Sequence, residues 1–412
     1  MGRPGEAIVC YDAVMAPAKR ERKSKSAKPA SLANRGDLEI FTSPLVDSIR
    51  GHGNVWELPG GQLVLPEVFG FCQGVKRALV MLEQAVASHR GKKQRLFLLG
   101  QIIHNPSVND DFTRRGVRIL AAEEVVDLEK IISPADVAVI PAFGVPLPIE
   151  QRLRAIGCRI IDTTCGDVRR LWAWAARAVR GGYGVLIFGR AMHDETVVTK
   201  SRLEALGGHY LVVGNLEQAR RFCDMITGAE PAGKFCEVFG AQATNARTLE
   251  PFLRLAQVSQ TTMLYDETIK LRELLRRSFA TRFGPQDFPE RLLLHPTVCR
   301  ATQARQTAAV ELCKSACDLV IVVGGFGSSN TRHLFELARG YCPAYFIEDA
   351  GAILSADRLR TFDPASGAPL VVEDWLPRGR GVRIGVLAGA SSPEVVVGEV
   401  LQRLAGFLGA TR

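Results

Sequence analysis

The chain has 412 residues, 47% hydrophobic and 23% charged, with a formal net charge of +9. It is longer than one core usually serves, so two to four domains are expected of an ordinary globular composition. No apolar run approaches the ~18 residues of a membrane span, and no secretory apolar segment opens the chain. The ten cysteines lack compact disulfide spacing, which points to a reducing compartment with some thiols serving a metal.

In chain order, residues 1–36 come first and hold much of the basic excess, eight Lys/Arg against Glu6, Asp12 and Glu21. The Ser/Lys-rich run Lys19–Lys28 has no apolar pattern to bury, so a disordered, solvated tail is expected. An organellar targeting segment is the alternative reading; it would change a cytoplasmic location to a plastid-type organelle. Residues 37–61 read as a partly ordered lead-in ending in the turn Pro59-Gly60-Gly61.

From residue 62 onward the chain repeats itself. An apolar run, Leu63–Val68, leads into Cys72, and helical spacing follows over Val75–Val86. A second apolar run, Leu96–Leu99, ends at His104 and Asn105; strands are predicted over Gly116–Leu120 and from Val137 to the turn Phe143-Gly144. The second unit starts with Cys158–Asp162 before Cys165, then a helical pattern Val168–Val179. Its strands start at Val185, His209 and Leu255, with polar ends His193-Asp194-Glu195-Thr196 and Gln260-Thr261-Thr262, and a long helix over Glu267–Phe283. In the third unit Arg291–Leu294 precedes Cys299, and Gln303–Leu312 is helical. Strands from Leu319, Ala344 and Val382 follow, with polar ends Ser328-Ser329-Asn330-Thr331 and Ser391-Ser392. Asp363–Pro369 reads as a surface excursion, and Pro393 as the first position of a helix capped by serine.

Strand–helix alternation at this period predicts an α/β fold of three pseudo-equivalent βα lobes with parallel sheets: residues 62–156, 157–286 and 287–412. In such sheets ligands lie beyond the carboxyl ends of the strands. The three cysteines and every polar cluster sit at those ends, so the lobes are expected to converge on one site.

One cysteine is usually a small buried hydrophobe, and Cys158, Cys223, Cys313 and Cys317 are read that way. Three at equivalent places argue for ligands. Separated by 93 and 134 residues, Cys72, Cys165 and Cys299 fit zinc with a fourth ligand, or a [4Fe–4S] cluster with one open iron. His104, His193, Thr261, Thr262, Ser328, Ser329, Asn330 and Ser391 are compact hydrogen-bonding groups. Ser328–Thr331 stands at a predicted helix start, where backbone N–H groups favour an anion. Taken singly they would be a core histidine or a plain N-cap; together they suggest a diphosphate or carboxylate cradle. Glu195, beside that cradle, is expected to have a raised pKa and to donate protons, against the blander reading of a surface glutamate at a helix start.

The ordered motifs Gly70-Phe-Cys72-Gln-Gly-Val, Ile103-His104-Asn105-Pro, Pro141-Ala-Phe143-Gly, Asp162-Thr-Thr-Cys165 and His193-Asp-Glu195-Thr continue through Gln260-Thr261-Thr262, Cys299-Arg-Ala-Thr-Gln, Gly327-Ser328-Ser-Asn330-Thr and Ala390-Ser391-Ser-Pro. Over roughly residues 62–405 they resemble the 4-hydroxy-3-methylbut-2-enyl diphosphate reductase (IspH/LytB) family, closest to its plant and cyanobacterial branch. The resemblance implies three lobes around one [4Fe–4S] cluster held by Cys72, Cys165 and Cys299. It implies a diphosphate held by His104, His193, Ser328, Ser329, Asn330 and Ser391, with Thr261 and Thr262 at the reacting end and Glu195 feeding protons. It also implies reductive dehydroxylation to isopentenyl and dimethylallyl diphosphates, the last step of the methylerythritol phosphate pathway. Ferredoxin or flavodoxin would be the electron donor; no nucleic acid or membrane partner is implied. Phe143 stands where many members have histidine, and Gly166 where proline is usual. A quinolinate synthase-type dehydratase is the alternative enzyme. A cluster-based sensor binding nucleic acid through the tail is a further one, but the repeats carry no basic run to support it.

Overall fold

The computed structural model describes residues 35–89, 91, 93–377 and 381–409. The expected tail therefore lies outside the described residues but for its last two positions. The sheets run Val117–Leu120, Leu96–Leu99, Val137–Ile140, Arg159–Asp162 in the first, and Leu292–Leu294, Leu255–Ser259, Gly184–Phe188, Tyr210–Val213 in the second. In the third they run Val55–Leu58, Gly61–Val64, Val382–Ala388, Leu319–Val323, Ala344–Ile347. All pairings in these sheets are parallel except the edge hairpin Val55–Leu58 with Gly61–Val64. The inner strands Leu96–Leu99, Val137–Ile140, Gly184–Phe188 and Leu319–Val323 are buried at every residue. Helices cover both faces of a parallel sheet, so these strands are continuously apolar rather than alternating.

The strand leading into each cysteine does not pair with the unit that follows it. Arg159–Asp162 pairs with Val137–Ile140, Leu292–Leu294 with Leu255–Gln257, and Gly61–Val64 with Val382–Gly385. The expected boundaries at 62, 157 and 287 thus cut each sheet one strand too early. A strand's backbone N–H and C=O groups must be satisfied, and the open edge is that of the preceding fourth strand. The first unit's entering strand closes onto the last unit's sheet, so the lobes interlock in a ring of pairings.

The lead-in is built into this closure. Helix Pro44–Gly51 is capped by Ser43, whose Oγ accepts from Val46 N at 3.4 Å, and Arg50 pairs with Glu394 at 2.7 Å on the C-terminal helix. That helix, Glu394–Phe407, starts after Pro393 without a side-chain cap; the expected serine cap is absent because Ser391 and Ser392 bond elsewhere. The expected surface excursion is the turn of an antiparallel hairpin, Arg358–Phe362 with Pro369–Glu373. The long second-unit helix runs over Tyr265–Asp287, with a break at Gly284 (φ 81°) before Pro285.

Each cysteine sits at the start of a helix: Gln73–His89, Gly166–Arg180 and Arg300–Lys314. The first buries Val75, Ala78, Leu79, Leu82, Ala85 and Val86, the i, i+3, i+4, i+7 stripe of a helix against a sheet. Truncating Leu79 to Ala would cost about 2–5 kcal/mol, since it is fully buried. Packing of this kind fixes where the cysteines stand. Among the described residues no helix is long and apolar enough to cross a membrane.

Candidate functional site

The expected residues from all three lobes meet in one cavity of about 130 Å³. It is lined by Cys72, Cys165 and Cys299, by His104, His193 and Glu195, and by Thr261, Thr262, Ser328, Ser329, Asn330 and Ser391. All twelve predicted site residues are brought together here. Phe143 and Asp167 also line it.

The cysteines form one end. Cys72 Sγ accepts from Val75 N at 3.4 Å and Cys299 Sγ from Thr302 N at 3.3 Å, so helix-start amides point at sulfur. Burial raises the Cys165 thiol, and pushes Cys299 up to about 11. A thiolate there therefore needs a cationic partner such as a metal group. Gly74 keeps the space open: a Cβ on it would stand 2.6 Å from Cys165 Sγ and 3.7 Å from Cys72 Sγ. Among the described residues no three His, Cys, Asp or Glu side chains stand close enough to share a single ion. Three soft donors around a glycine-cleared space fit a thiolate-held inorganic group.

The opposite wall is a network of hydroxyls and amides. Ser391 Oγ donates to Ser328 Oγ at 3.1 Å, and Thr262 Oγ1 donates to Ser329 Oγ at 3.0 Å. Asn330 Oδ1 accepts from Ala390 N at 3.0 Å while Nδ2 faces Thr302 Oγ1 at 3.4 Å. Ser328 caps helix Ser329–Arg339 through Thr331 N at 3.3 Å. His104 stacks flat on Phe143, ring centroids 4.8 Å apart, and meets His193 edge-on at 5.5 Å. His193 Nδ1 accepts from Glu195 N at 3.2 Å, which leaves the ring proton on Nε2. The Nε2 atoms of both histidines are buried without a hydrogen-bond partner. Burial holds His193 down to about 3 and lowers His104, so both imidazoles are neutral before a ligand arrives.

Glu195 is 3% exposed, so the blander surface reading does not hold. Its Oε1 accepts from Thr261 N at 2.7 Å and its Oε2 lies 2.6 Å from Thr261 Oγ1. Burial pushes its pKa up to about 7 against the pull of those bonds. Its neighbour Asp194, half exposed, lies 3.6 Å from His104 Nε2.

Sequence reasoning missed the residues that hold this set in place. Thr302 Oγ1 lies 3.1 Å from Cys299 Sγ. Buried Arg305 donates to Gly70 O at 2.6 Å, joining the third cysteine helix to the loop before the first. Gln260 reaches Thr262 at 2.7 Å, and His333 Nδ1 donates to Thr262 O at 2.7 Å. Thr302 and Arg305 lie three and six residues beyond Cys299, a spacing that marks the inner face of its helix; for His333 there was no such signal.

With this geometry in hand, the sequence profile of the LytB protein family matches residues 63–405. The chain belongs to the LytB family. A 4-hydroxy-3-methylbut-2-enyl diphosphate reductase of Thermosynechococcus vestitus is 36% identical over 366 residues, 88% of this chain and 89% of its own length. The reductase so named in Gloeobacter violaceus is 36% identical over 374 residues, 88% of this chain and 87% of its own. Among solved LytB-type structures, one described as (E)-4-hydroxy-3-methyl-but-2-enyl diphosphate reductase, the terminal enzyme of the non-mevalonate pathway, aligns with a TM-score of 0.51. It is 27% identical and covers 84% of this chain and 99% of that one. A reductase structure from Plasmodium falciparum, 21% identical with a TM-score of 0.59, covers 82% of this chain and 86% of that one, and shares the fold. The LytB match begins one residue after the first expected lobe boundary and takes in every cavity residue named above.

Proposed function

We propose that the chain reduces (E)-4-hydroxy-3-methylbut-2-enyl diphosphate to isopentenyl and dimethylallyl diphosphates, the final step of the methylerythritol phosphate pathway. The observation that carries this reading is the meeting of three cysteines, a buried carboxyl and a helix-start hydroxyl wall in one cavity. The balance is simple: the allylic C–O bond breaks, two electrons and two protons enter, and water leaves.

Cys72, Cys165 and Cys299 would hold one [4Fe–4S] cluster with one iron free of protein thiolate, supplying electrons singly and a Lewis-acidic position for the hydroxyl. Ser328, Ser329, Asn330 and Ser391 bind the diphosphate with the amides of helix Ser329–Arg339 behind them. His104 and His193 turn Nε2 atoms that hold no hydrogen bond to the same task. Thr262, tied to Ser329, orients the carbon chain, and Phe143 gives His104 a flat apolar support. Glu195 holds a proton near neutral pH. Its Oε2, 2.6 Å from Thr261 Oγ1, passes that proton through the threonine hydroxyl, so the oxygen departs as water. Ferredoxin or flavodoxin delivers the electrons.

The test is anaerobic turnover of the iron-loaded protein with a chemical reductant. Both five-carbon diphosphates should form, and inorganic diphosphate should compete with the substrate. A loaded protein that is indifferent to diphosphate and instead turns over a dicarboxylate would favour the quinolinate synthase-type alternative, which the LytB match does not support.

A further inference from the structure

The inner cradle has almost no charge to offer a diphosphate ester, which carries about three negative charges at neutral pH. Its hydrogen-bonding groups are hydroxyls, one amide and two neutral imidazoles, and its one buried carboxyl is acidic. The N-terminus of helix Ser329–Arg339 adds roughly half a positive charge. Phe143 fills the place under His104 with an apolar ring.

The missing charge stands next door. A second cavity, about 450 Å³, shares His104 and His193 with the first and adds Arg190 and Arg332 to its walls. Arg332 is half-buried, with its guanidinium 4.5 Å over the Phe362 ring. Its Nη2 reaches only Phe326 O, at 3.5 Å, and its Nε is buried with no partner. Arg190 is exposed, and its backbone N is fixed by Gln260 Oε1 at 3.1 Å. Among the described residues neither guanidinium forms an ion pair. Asp194 also lines this cavity, 3.6 Å from His104 Nε2, and Glu336, 3.9 Å from His333 Nε2, lies near both guanidiniums without a direct bond to either. The two guanidiniums repel each other and Glu336 offsets this only through space, so the N–H groups of a partly desolvated Arg332 are left for an anion to bond.

We propose that Arg190 and Arg332 are the charged outer half of the diphosphate site, engaging one phosphate across the shared histidines and setting the preference for a diphosphate over a monophosphate. This rests on the function proposed above and adds two specificity residues to it. Guanidiniums suit the role because they pair with phosphate oxygens through parallel N–H bonds. At the mouth they would also draw the substrate in by charge.

The experiment uses the full-length iron-loaded enzyme and the variants Arg190→Gln, Arg332→Gln, both together, and Arg332→Lys. Steady-state kinetics are run at low and high salt with inorganic phosphate and inorganic diphosphate as inhibitors. Each single Gln variant should raise KM about tenfold and the pair on the order of 100-fold, with kcat and the cluster spectrum much less affected. In the wild type diphosphate should inhibit at least ~10-fold more tightly than phosphate, a gap the double variant closes. Arg332→Lys should recover part of the loss. Arg190 is exposed, so Arg190→Gln tests the idea even where the Arg332 variants fold poorly. A double variant with KM within ~2-fold of wild type, still preferring diphosphate, overturns the proposal and leaves the proposed reaction standing. A wild type that neither turns over the substrate nor binds inorganic diphosphate overturns both.

Discussion

The two ends of the cavity were built by different rules. At the cysteine end one device is used three times: a strand, then a cysteine, then a helix that starts directly after it, with helix-start amides bonded to the sulfur of Cys72 and of Cys299. At the other end equivalent strand ends carry different groups: His104 in the first lobe, His193 and Glu195 in the second, Ser328–Asn330 in the third. Repetition suits a group that needs three like ligands. Divergence suits a substrate with an anionic end and a reacting end. The repeat supplies the frame, while the reaction depends on where its copies stopped matching.

The largest effects are expected at the cysteine end, where equivalent residues should have equal effects. Cys72→Ser, Cys165→Ser and Cys299→Ser should each abolish turnover and the ~400 nm absorbance of an iron–sulfur protein. Cys313→Ser, in the third-lobe core, should keep both. Unequal losses among the first three, read by iron and sulfide content, would end the claim of equivalence.

At the other end the effects should be unequal and separable. Glu195→Gln keeps the shape and a bond to Thr261 but removes the acid, so kcat should fall by about 10²–10⁴ with cluster content intact. The pH dependence follows from the raised pKa. The required form is protonated, so kcat should be flat below about 7 and fall tenfold per unit above it, and Glu195→Gln should lose that limb. Wild-type kcat rising through the same range would contradict the assignment.

Asn330→Ala comes next. It removes an acceptor for Ala390 N and a contact to Thr302, so KM should rise roughly tenfold while the cluster spectrum stays. A bleached protein would instead place Asn330 in support of the cysteine end, through the Thr302 contact to Cys299. The smallest effect is expected from deleting residues 1–34, outside the LytB match: turnover within about twofold, checked with the same assay.

Much of this was legible in the sequence, and the reason is periodicity. Buried parallel strands must be continuously apolar and the cysteine helices must show a 3.6-residue stripe, so Leu319–Val323 and Val75–Val86 announced themselves. The cavity was legible because the strand ends that meet there carry small polar clusters, His104-Asn105, His193–Thr196, Gln260–Thr262, Ser328–Thr331 and Ser391-Ser392. Sheet membership was not: which edge Arg159–Asp162 joins depends on the partner free in space, and nothing in its four residues encodes that. The strand Val55–Leu58 was hidden because an edge hairpin has little apolar pattern. His333 was invisible for another reason. A lone histidine carries no spacing signal of its own, and only the fold shows that His333 is buried on Thr262 O.

The central claim is that the cysteine end and the hydroxyl end serve one molecule at once. The most direct test is Mössbauer spectroscopy of the anaerobic, iron-loaded protein with and without (E)-4-hydroxy-3-methylbut-2-enyl diphosphate. The account predicts four irons per chain, one of which changes its signal when the substrate binds. A bound substrate, shown by equilibrium dialysis, that leaves all four iron signals unchanged would contradict it.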